Sequence, residues 1–279
     1  MYFWYRFFTY LLYPFAPIYL YFRKIRKKED SIRYKEKLAK INIERGEGFL
    51  IWFHVASVGE AMSILPLIEN CIQEQKINKI LITSITLSSG KILEKRFSQN
   101  PKVIHQFLPL DISVWANKFL NHWKPNLSIF IDSEIWPNLI TKLKNKNIPI
   151  MLVNARLSDR SFKKYNKFSS KLVSSSLNRL SIICSQNESS SKRFISLGAN
   201  NKNIITTGSL KFDSNESTNR KTVQALKNIT GDRKIVVFAR SNYSTKALNS
   251  IASKKLEKKD WIYINYKKMN ISSSLIRKF

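Results

Sequence analysis

The chain has 279 residues, enough to bury a core in one large or two small domains, and at 43% hydrophobic residues it is not a disordered protein. Its two cysteines, Cys71 and Cys184, lie far apart in apolar segments, which excludes a disulfide framework and a zinc site and reads as buried thiols in a reducing compartment. Lys and Arg number 48 against 19 Asp and Glu, and the resulting +29 either marks a surface that seeks anions or reflects a Lys-rich compositional bias.

The amino terminus is the first element. From Phe7 to Phe22 no residue is charged, and Arg23, Lys24, Arg26, Lys27 and Lys28 follow at once. As a straight helix those 16 residues would reach about 24 Å, short of the roughly 30 Å hydrocarbon core of a bilayer. Pro14 and Pro17 weaken such a helix, and no small-residue cleavage site follows. The aromatic content and the basic flank point to an uncleaved membrane anchor, residues 1–28, as a short signal-anchor or an interfacial segment. The bland alternative is an amphipathic helix that docks on the protein's own core.

Asp30–Glu44 is charged and periodic enough for a helix, broken by the "RGEG" at 45–48. Apolar, β-rich runs then alternate with amphipathic ones. The strands expected are Phe49–Ala56, Lys79–Ser84, Val103–Phe107, Leu127–Ile131, Ile148–Asn154, Leu180–Cys184 and Ile204–Thr207. Between them the pattern predicts helices over Ala61–Gln75, Ser88–Phe97, Ser113–Trp123, Trp136–Asn145, Phe162–Ser176 and Glu188–Leu197. Strand and helix in strict alternation imply an α/β fold, a mainly parallel, doubly wound, Rossmann-like sheet with its ligand loops at the strand carboxyl ends. Residues 29–213 make up this domain. Residues 214–279 open on a polar linker and carry two further strand candidates, Lys234–Ala239 and Trp261–Tyr266.

Four clusters fall where such a topology places its loops: "SVGE" (57–60), "DSEIWPNLI" (132–140), "NARLSDRSFKKY" (154–165) and "GSLKFD" (208–213). With them the chain resembles the amino-terminal half of the Kdo (3-deoxy-D-manno-octulosonic acid) transferases, whose pattern of SVGE, E-T/S-E-x-W-P-N, N-x-R-L-S-x-R-S and G-N/S-x-K-F-D appears in order with one substitution. "FLPLD" (107–111), "CSQNESSSKRFISLGA" (184–199) and "RYKEKL" (33–38) add to the match, which runs from the anchor to about Asp213. The resemblance implies the acceptor-binding domain of a GT-B glycosyltransferase at the cytoplasmic face of the bacterial inner membrane. Such an enzyme transfers Kdo from CMP-Kdo to a lipid A precursor and needs no cofactor or metal.

By that resemblance Glu60 is the general base, because a sugar hydroxyl attacks only when a positioned carboxylate accepts its proton. Read from the residues alone, Glu60 equally serves as a cap at a helix start, where the helix dipole favours its ionised form. Ser57 and Gly59 belong to the same substrate-binding turn, with Gly59 giving a tight turn and close backbone approach. Glu134 and Lys211 match positions that stabilise the transition state: Lys211 would face the leaving phosphate, and Glu134 would orient a hydroxyl or balance an oxocarbenium-like sugar. Their bland readings are a loop-holding carboxylate and a surface lysine. Arg156 and Arg160 either grip lipid A phosphates or the Kdo carboxylate, or tie loops together. Asp132 stands where the family more often has Glu. His54, His105 and His122 lack metal-ligand spacing and read as core or surface residues.

Beyond "KIVVFARS" the sequence departs from the family: "NYSTKAL" stands where S-T-H-x-G-E-E is expected, and no P-R-H-P-E-R-like donor segment follows. The tail therefore reads as a truncated remnant of the donor-binding domain. Two other functions compete with active transfer: a silent homologue that still binds lipid A precursor or anionic inner-membrane lipid, and a basic nucleic-acid binder. No nucleic-acid motif supports the last.

Overall fold

A computed structural model describes residues 1–210 and the strand segments 235–238 and 261–264. Lys211, the rest of the "GSLKFD" cluster and the linker lie outside the described residues. By contacts the chain divides into two units, Met1–Ser214 and Asn215–Phe279.

The first unit is built on a seven-stranded sheet of β1 (Leu50–Val55), β2 (Lys79–Ser84), β3 (Val103–Phe107), β4 (Leu127–Ile131), β5 (Ile150–Ala155), β6 (Ile182–Ser185) and β7 (Ile204–Thr206). Their order across the sheet is β3-β2-β1-β4-β5-β6-β7, and every pairing is parallel. Each expected strand is present to within two residues at either end. Parallel strands need long crossovers, and these supply the helices that cover both faces. Side chains of β1 alternate between two cores. Leu50 and Trp52 face the layer formed by α6 (Ser113–Trp123), α7 (Pro137–Asn145), α9 (Ser170–Leu177) and α10 (Glu188–Ser196). Ile51, Phe53 and Val55 face α3 (Val58–Ser63), α4 (Leu65–Gln73) and α5 (Leu87–Phe97). A one-residue slip would exchange the two faces, so this alternation fixes the register.

Several expected helices come out differently. The helix expected over Ala61–Gln75 is split into α3 and α4, because Pro66 in the first turn of α4 has no N–H to continue α3. Phe162–Ser176 is likewise two helices, α8 (Asp159–Phe168) and α9, parted at Ser169 with φ −145°. Asp30–Glu44 is not an α-helix. It holds a short 3-10 helix, Arg33–Leu38, that ends at Ala39 in the left-handed region at φ 52°. The charges of that segment serve the open edge of the sheet: Glu36 Oε2 accepts the Phe107 N–H at 2.7 Å and Arg33 donates to the His105 carbonyl at 2.9 Å. Backbone groups of β3 that would otherwise invite another strand are thereby occupied. Cys71 and Cys184 are half-buried rather than buried, and burial raises the pKa of both thiols.

The amino-terminal run forms two ten-residue helices, α1 (Tyr2–Leu11) and α2 (Ala16–Ile25), interrupted around Pro14. No helix among the described residues is long and apolar enough to cross a membrane, which corrects the signal-anchor alternative. Helix α2 buries Ala16 and Leu20, and Ala16 packs beside Ala39, Ile112 and Trp115. Helix α1 buries no residue fully and leaves Phe3 71%, Trp4 56% and Phe8 58% exposed.

In the second unit, β8 (Ile235–Phe238) and β9 (Trp261–Ile264) pair in parallel, each inside a segment read as a strand from the sequence.

Candidate active site

Strands β1 and β4 are neighbours in the sheet, but the chain leaves them in opposite lateral directions, toward β2 and toward β5. A crevice opens at such a reversal, just beyond the strand carboxyl ends, and it is where doubly wound sheets bind ligands. The loops that flank it here are "SVGE" after β1 and "DSEIWP" after β4.

Ser57 is the N-cap of α3, extended at φ −124° and ψ 165°, and its Oγ accepts the Glu60 N–H at 3.3 Å. Glu60, three residues on, reaches back: Oε2 accepts the Ala56 N–H at 2.7 Å and Oε1 accepts the Ser57 hydroxyl at 2.7 Å. This reciprocal arrangement is a capping box shifted by one residue, with Glu60 taking the N–H just before the N-cap, so the capping role read from the sequence is real. It does not keep Glu60 an ordinary acid. Burial raises its pKa; the bonds from Ala56 and Ser57 pull it down, and the charges of Glu134 and Asp132 push it up. Net elevation makes the carboxylate a stronger base than an exposed glutamate, and its two hydrogen bonds fix its direction. Gly59 is not needed for the turn: its φ is not positive, and a Cβ there would meet nothing within 4 Å. What its lack of a side chain leaves is open space beside Glu60.

Across the crevice Asp132 leaves β4 with φ 64°, a left-handed conformation that turns the chain sharply toward Glu134. Glu134 is partly exposed, and its Oε2 accepts the Trp136 indole N–H at 2.9 Å. The same oxygen lies 3.7 Å from Nε2 of His54, a residue with no exposed surface. Tyr165 of α8 is near enough that the Glu134 charge helps burial to raise its phenol pKa. His105 and His122 hold structural positions, His105 bonded to Ser84 Oγ at 2.9 Å and His122 to the Ile43 carbonyl at 2.8 Å. Burial and the Arg33 charge push His105 down to about 3, so it stays neutral.

Behind the β4 loop lies a residue that the sequence reading left without a role. Asp111, the last residue of "FLPLD", is buried at the start of α7: Oδ2 accepts the Asn138 N–H at 3.0 Å and Oδ1 the Leu139 N–H at 2.9 Å. Helix α1 closes over this cap. Tyr5 donates to Asp111 Oδ2 at 2.9 Å, Tyr2 to Asn138 Oδ1 at 3.2 Å, and Asn138 Nδ2 to Thr9 Oγ1 at 3.1 Å. The polar stripe of α1 therefore faces the domain and its aromatic side faces outward, the reverse of a surface helix docked on a core.

The third and fourth clusters meet at β5. Asn154, buried at φ 57°, accepts the Leu210 N–H at 3.1 Å through Oδ1, which brings the start of "GSLKFD" to the end of β5. Lys211 itself lies outside the described residues. Arg156 and Arg160 are exposed and have no carboxylate partner among the described residues; the loop tie is made by Arg193, which pairs with Asp159 at 2.5 Å and donates to the Leu157 carbonyl at 2.6 Å. Among the described residues no His, Cys, Asp and Glu group of three or more is placed to hold a metal ion. Cavities of about 580 and 270 Å³ open elsewhere, around Arg33 at the β3 edge, whose charge is already committed to Glu36 and Glu94. The open β1/β4 crevice, rather than these cavities, gathers the chemistry.

Comparison with known proteins agrees. Residues 32–214 match the family described as 3-deoxy-D-manno-octulosonic-acid transferase (kdotransferase). The 3-deoxy-D-manno-octulosonic acid transferase of Rickettsia bellii is 36% identical over 241 residues, covering 84% of this chain and 55% of that protein. The Rickettsia felis enzyme is 41% identical over 195 residues, covering 68% and 40%, and the Haemophilus influenzae enzyme 33% over 217 residues, covering 76% and 50%. The chain thus spans about half the length of the curated relatives it matches. Among solved structures, UDP-GlcNAc 2-epimerase from Neisseria meningitidis, bound to UDP-GlcNAc, has the same fold with a TM-score of 0.50 at 13% identity, over 82% of this chain and 68% of that one.

Proposed function

The chain belongs to the 3-deoxy-D-manno-octulosonic acid (Kdo) transferase family, and from that premise we propose that it transfers Kdo from CMP-Kdo to a sugar hydroxyl of a lipid A precursor. The observation that carries this reading is Glu60: a carboxylate at the β1/β4 reversal, made more basic by burial and aimed by Ala56 and Ser57. In the reaction Glu60 accepts the proton of the acceptor hydroxyl as its oxygen bonds to the anomeric carbon of Kdo. The bond from that carbon to the phosphate of CMP breaks, and CMP leaves with the electron pair. Positive charge that builds on the sugar ring is balanced by Glu134, while Lys211 neutralises the departing phosphate. Ser57 and Gly59 shape the acceptor side of the crevice. Arg156 and Arg160, exposed and without a carboxylate partner among the described residues, suit the phosphates of the acceptor.

In this reading residues 1–210 form the acceptor half of a GT-B enzyme that takes CMP-Kdo as its donor and needs no cofactor. The outward aromatic face of α1, followed by the basic run after Phe22, supports an interfacial attachment to anionic lipid, with the chain at the cytoplasmic face of the bacterial inner membrane. The experiment is Kdo transfer from CMP-Kdo, generated in place, to a tetra-acylated lipid A precursor by the full chain, native beside Glu60→Gln. Gln keeps the bond from the Ala56 N–H on its carbonyl oxygen and can turn its NH2 to donate to Ser57 Oγ, but it cannot take a proton, so transfer should fall by about 10²–10⁴-fold with the fold intact. Equal rates in the two proteins would remove Glu60 as the base. No product from either, with the precursor still bound, would leave an acceptor-binding domain without chemistry.

A further inference from the structure

His54 is fully buried, and its Nε2 has no hydrogen-bond partner among the described residues. Such an atom is costly to bury, so its surroundings should explain it. The ring sits edge-on to Phe130 and Trp136, at centroid distances of 5.8 and 5.9 Å. Its Nδ1 lies 2.9 Å from Thr83 Oγ1. That oxygen already accepts the Trp52 indole N–H at 2.8 Å, so the Thr83 hydroxyl has one proton left to give. Two acceptors compete for it: the Phe53 carbonyl at 3.4 Å and His54 Nδ1 at 2.9 Å. Donation along the shorter contact makes Nδ1 the acceptor, and Nε2 then carries the ring N–H. Nε2 lies 3.7 Å from Glu134 Oε2, and no other polar atom among the described residues is within hydrogen-bond reach of it.

We propose that His54 is a positioning residue for Glu134. Trp52, Thr83 and His54 form a line of polar contacts that ends 3.7 Å from Oε2 of the Glu134 carboxylate, and the Trp136 indole grips the same oxygen. With the Trp136 indole N–H bonded to Oε2 and His54 Nε2 beside it, Oε1 is the oxygen left for a ligand. The gap is about half an ångström beyond a normal hydrogen bond, and a small rotation of Glu134 closes it. Because His54 belongs to β1, three strands' worth of packing hold its ring, and Glu134 on its loop inherits that rigidity. The effect on transfer rests on the function proposed above; the contact itself does not.

Two amides separate the nitrogens. In His54→Asn the amide stands where Nδ1 was and keeps Thr83; in His54→Gln it reaches the place of Nε2 and keeps Glu134. Only three histidines are present, so ring-nitrogen NMR of the histidine-labelled full chain resolves each one. Glu134→Gln should shift the His54 ring signals and leave His105 in place. The Trp136 indole N–H, which reports where Glu134 sits, should move in His54→Asn as it does in Glu134→Gln and hold near its native position in His54→Gln. In the transfer assay His54→Asn should lower kcat by on the order of 10²-fold with KM little changed, and His54→Gln should restore most of it. His54 signals that ignore Glu134→Gln, or a Trp136 indole indifferent to His54→Asn, would overturn the proposal. Shifted signals with native kcat in both variants would reduce His54 to a packing residue, also against it. If the native chain gives no transfer, the proposed function fails, and the NMR signals alone decide this contact.

Discussion

Replacing Asp111 by Asn should remove a pH dependence of stability that the native chain owes to one carboxyl. Burial raises the pKa of Asp111 from 3.8 to about 6, against the pull of the Asn138 N–H, the Tyr5 hydroxyl and the Leu139 N–H. A carboxyl whose value is higher folded than unfolded binds its proton more tightly in the native state. Its contribution is therefore complete below about pH 4 and is lost as the pH rises through about 6. Linkage between those two values gives a loss of roughly 1 kcal/mol from about pH 5 to about pH 7.5. Urea denaturation of native and variant chains in one non-ionic detergent, followed by tryptophan fluorescence, measures it. The native protein should gain roughly 1 kcal/mol on Asp111→Asn when the pH is lowered from about 7.5 to about 5, whatever the constant offset between them. Tyr5→Phe keeps the carboxyl but deletes a hydrogen bond that lowers its pKa, so its transition should move to higher pH. A native-minus-variant difference that stays flat across that range would refute both the burial of the charge and its closure by α1.

Three other substitutions test separate parts of the structure. Glu60→Ala should lose about 1–2 kcal/mol of stability with the capping box, and Glu60→Gln well under half of that, as read from urea midpoints. Lys37 is buried, with Nζ 2.6 Å from Glu29 and 2.9 Å from the Ile85 carbonyl, and Glu29 keeps Arg23 at 2.6 Å when Lys37 is removed, so Lys37→Met should cost about 1–3 kcal/mol. Adding Glu29→Leu should recover part of that cost, which a double-mutant cycle will show. Trp4→Ser with Phe8→Ser should weaken binding to vesicles of phosphatidylglycerol by tenfold or more, while the pH dependence assigned to Asp111 is unchanged, because both rings face away from the domain.

The strands were legible because each is an apolar, β-branched run bounded by polar residues, and because the central strands β1, β2 and β4 are covered on both faces and must be largely apolar along their length. The helix boundaries were less so. Pro66 carried its own warning of a break, whereas nothing local at Ser169 announces that α8 and α9 part there. The 30–44 segment misled for a different reason. Its spacing of charges looks helical, yet Arg33 and Glu36 are spent on the backbone of β3, more than 70 residues away, and a six-residue 3-10 turn suffices to present them.

The loops of the site could be found from motifs, but the depth of its residues could not. Glu60 is both cap and candidate base because the two roles ask for the same thing, a carboxylate drawn back against the start of α3 with its remaining lone pairs facing the crevice. The capping bonds to Ala56 and Ser57 are short-range and written in "SVGE"; the elevation of Glu60 depends on burial and on Glu134 and Asp132, which arrive from β4. His54 and Asp111 were unreadable for the same reason. A histidine two residues from Trp52 on an apolar strand announces which face it is on and nothing about what it meets there. Asp111 finds its partners 27, 28 and 106 residues away, through the α7 backbone and Tyr5. Both residues act on the one stretch between β4 and α7, His54 from the sheet and Asp111 from beneath the helix start. Parallel packing brings three strand ends to that stretch, so the conformation of the Glu134 loop is set less by its own five residues than by what lies on either side of it.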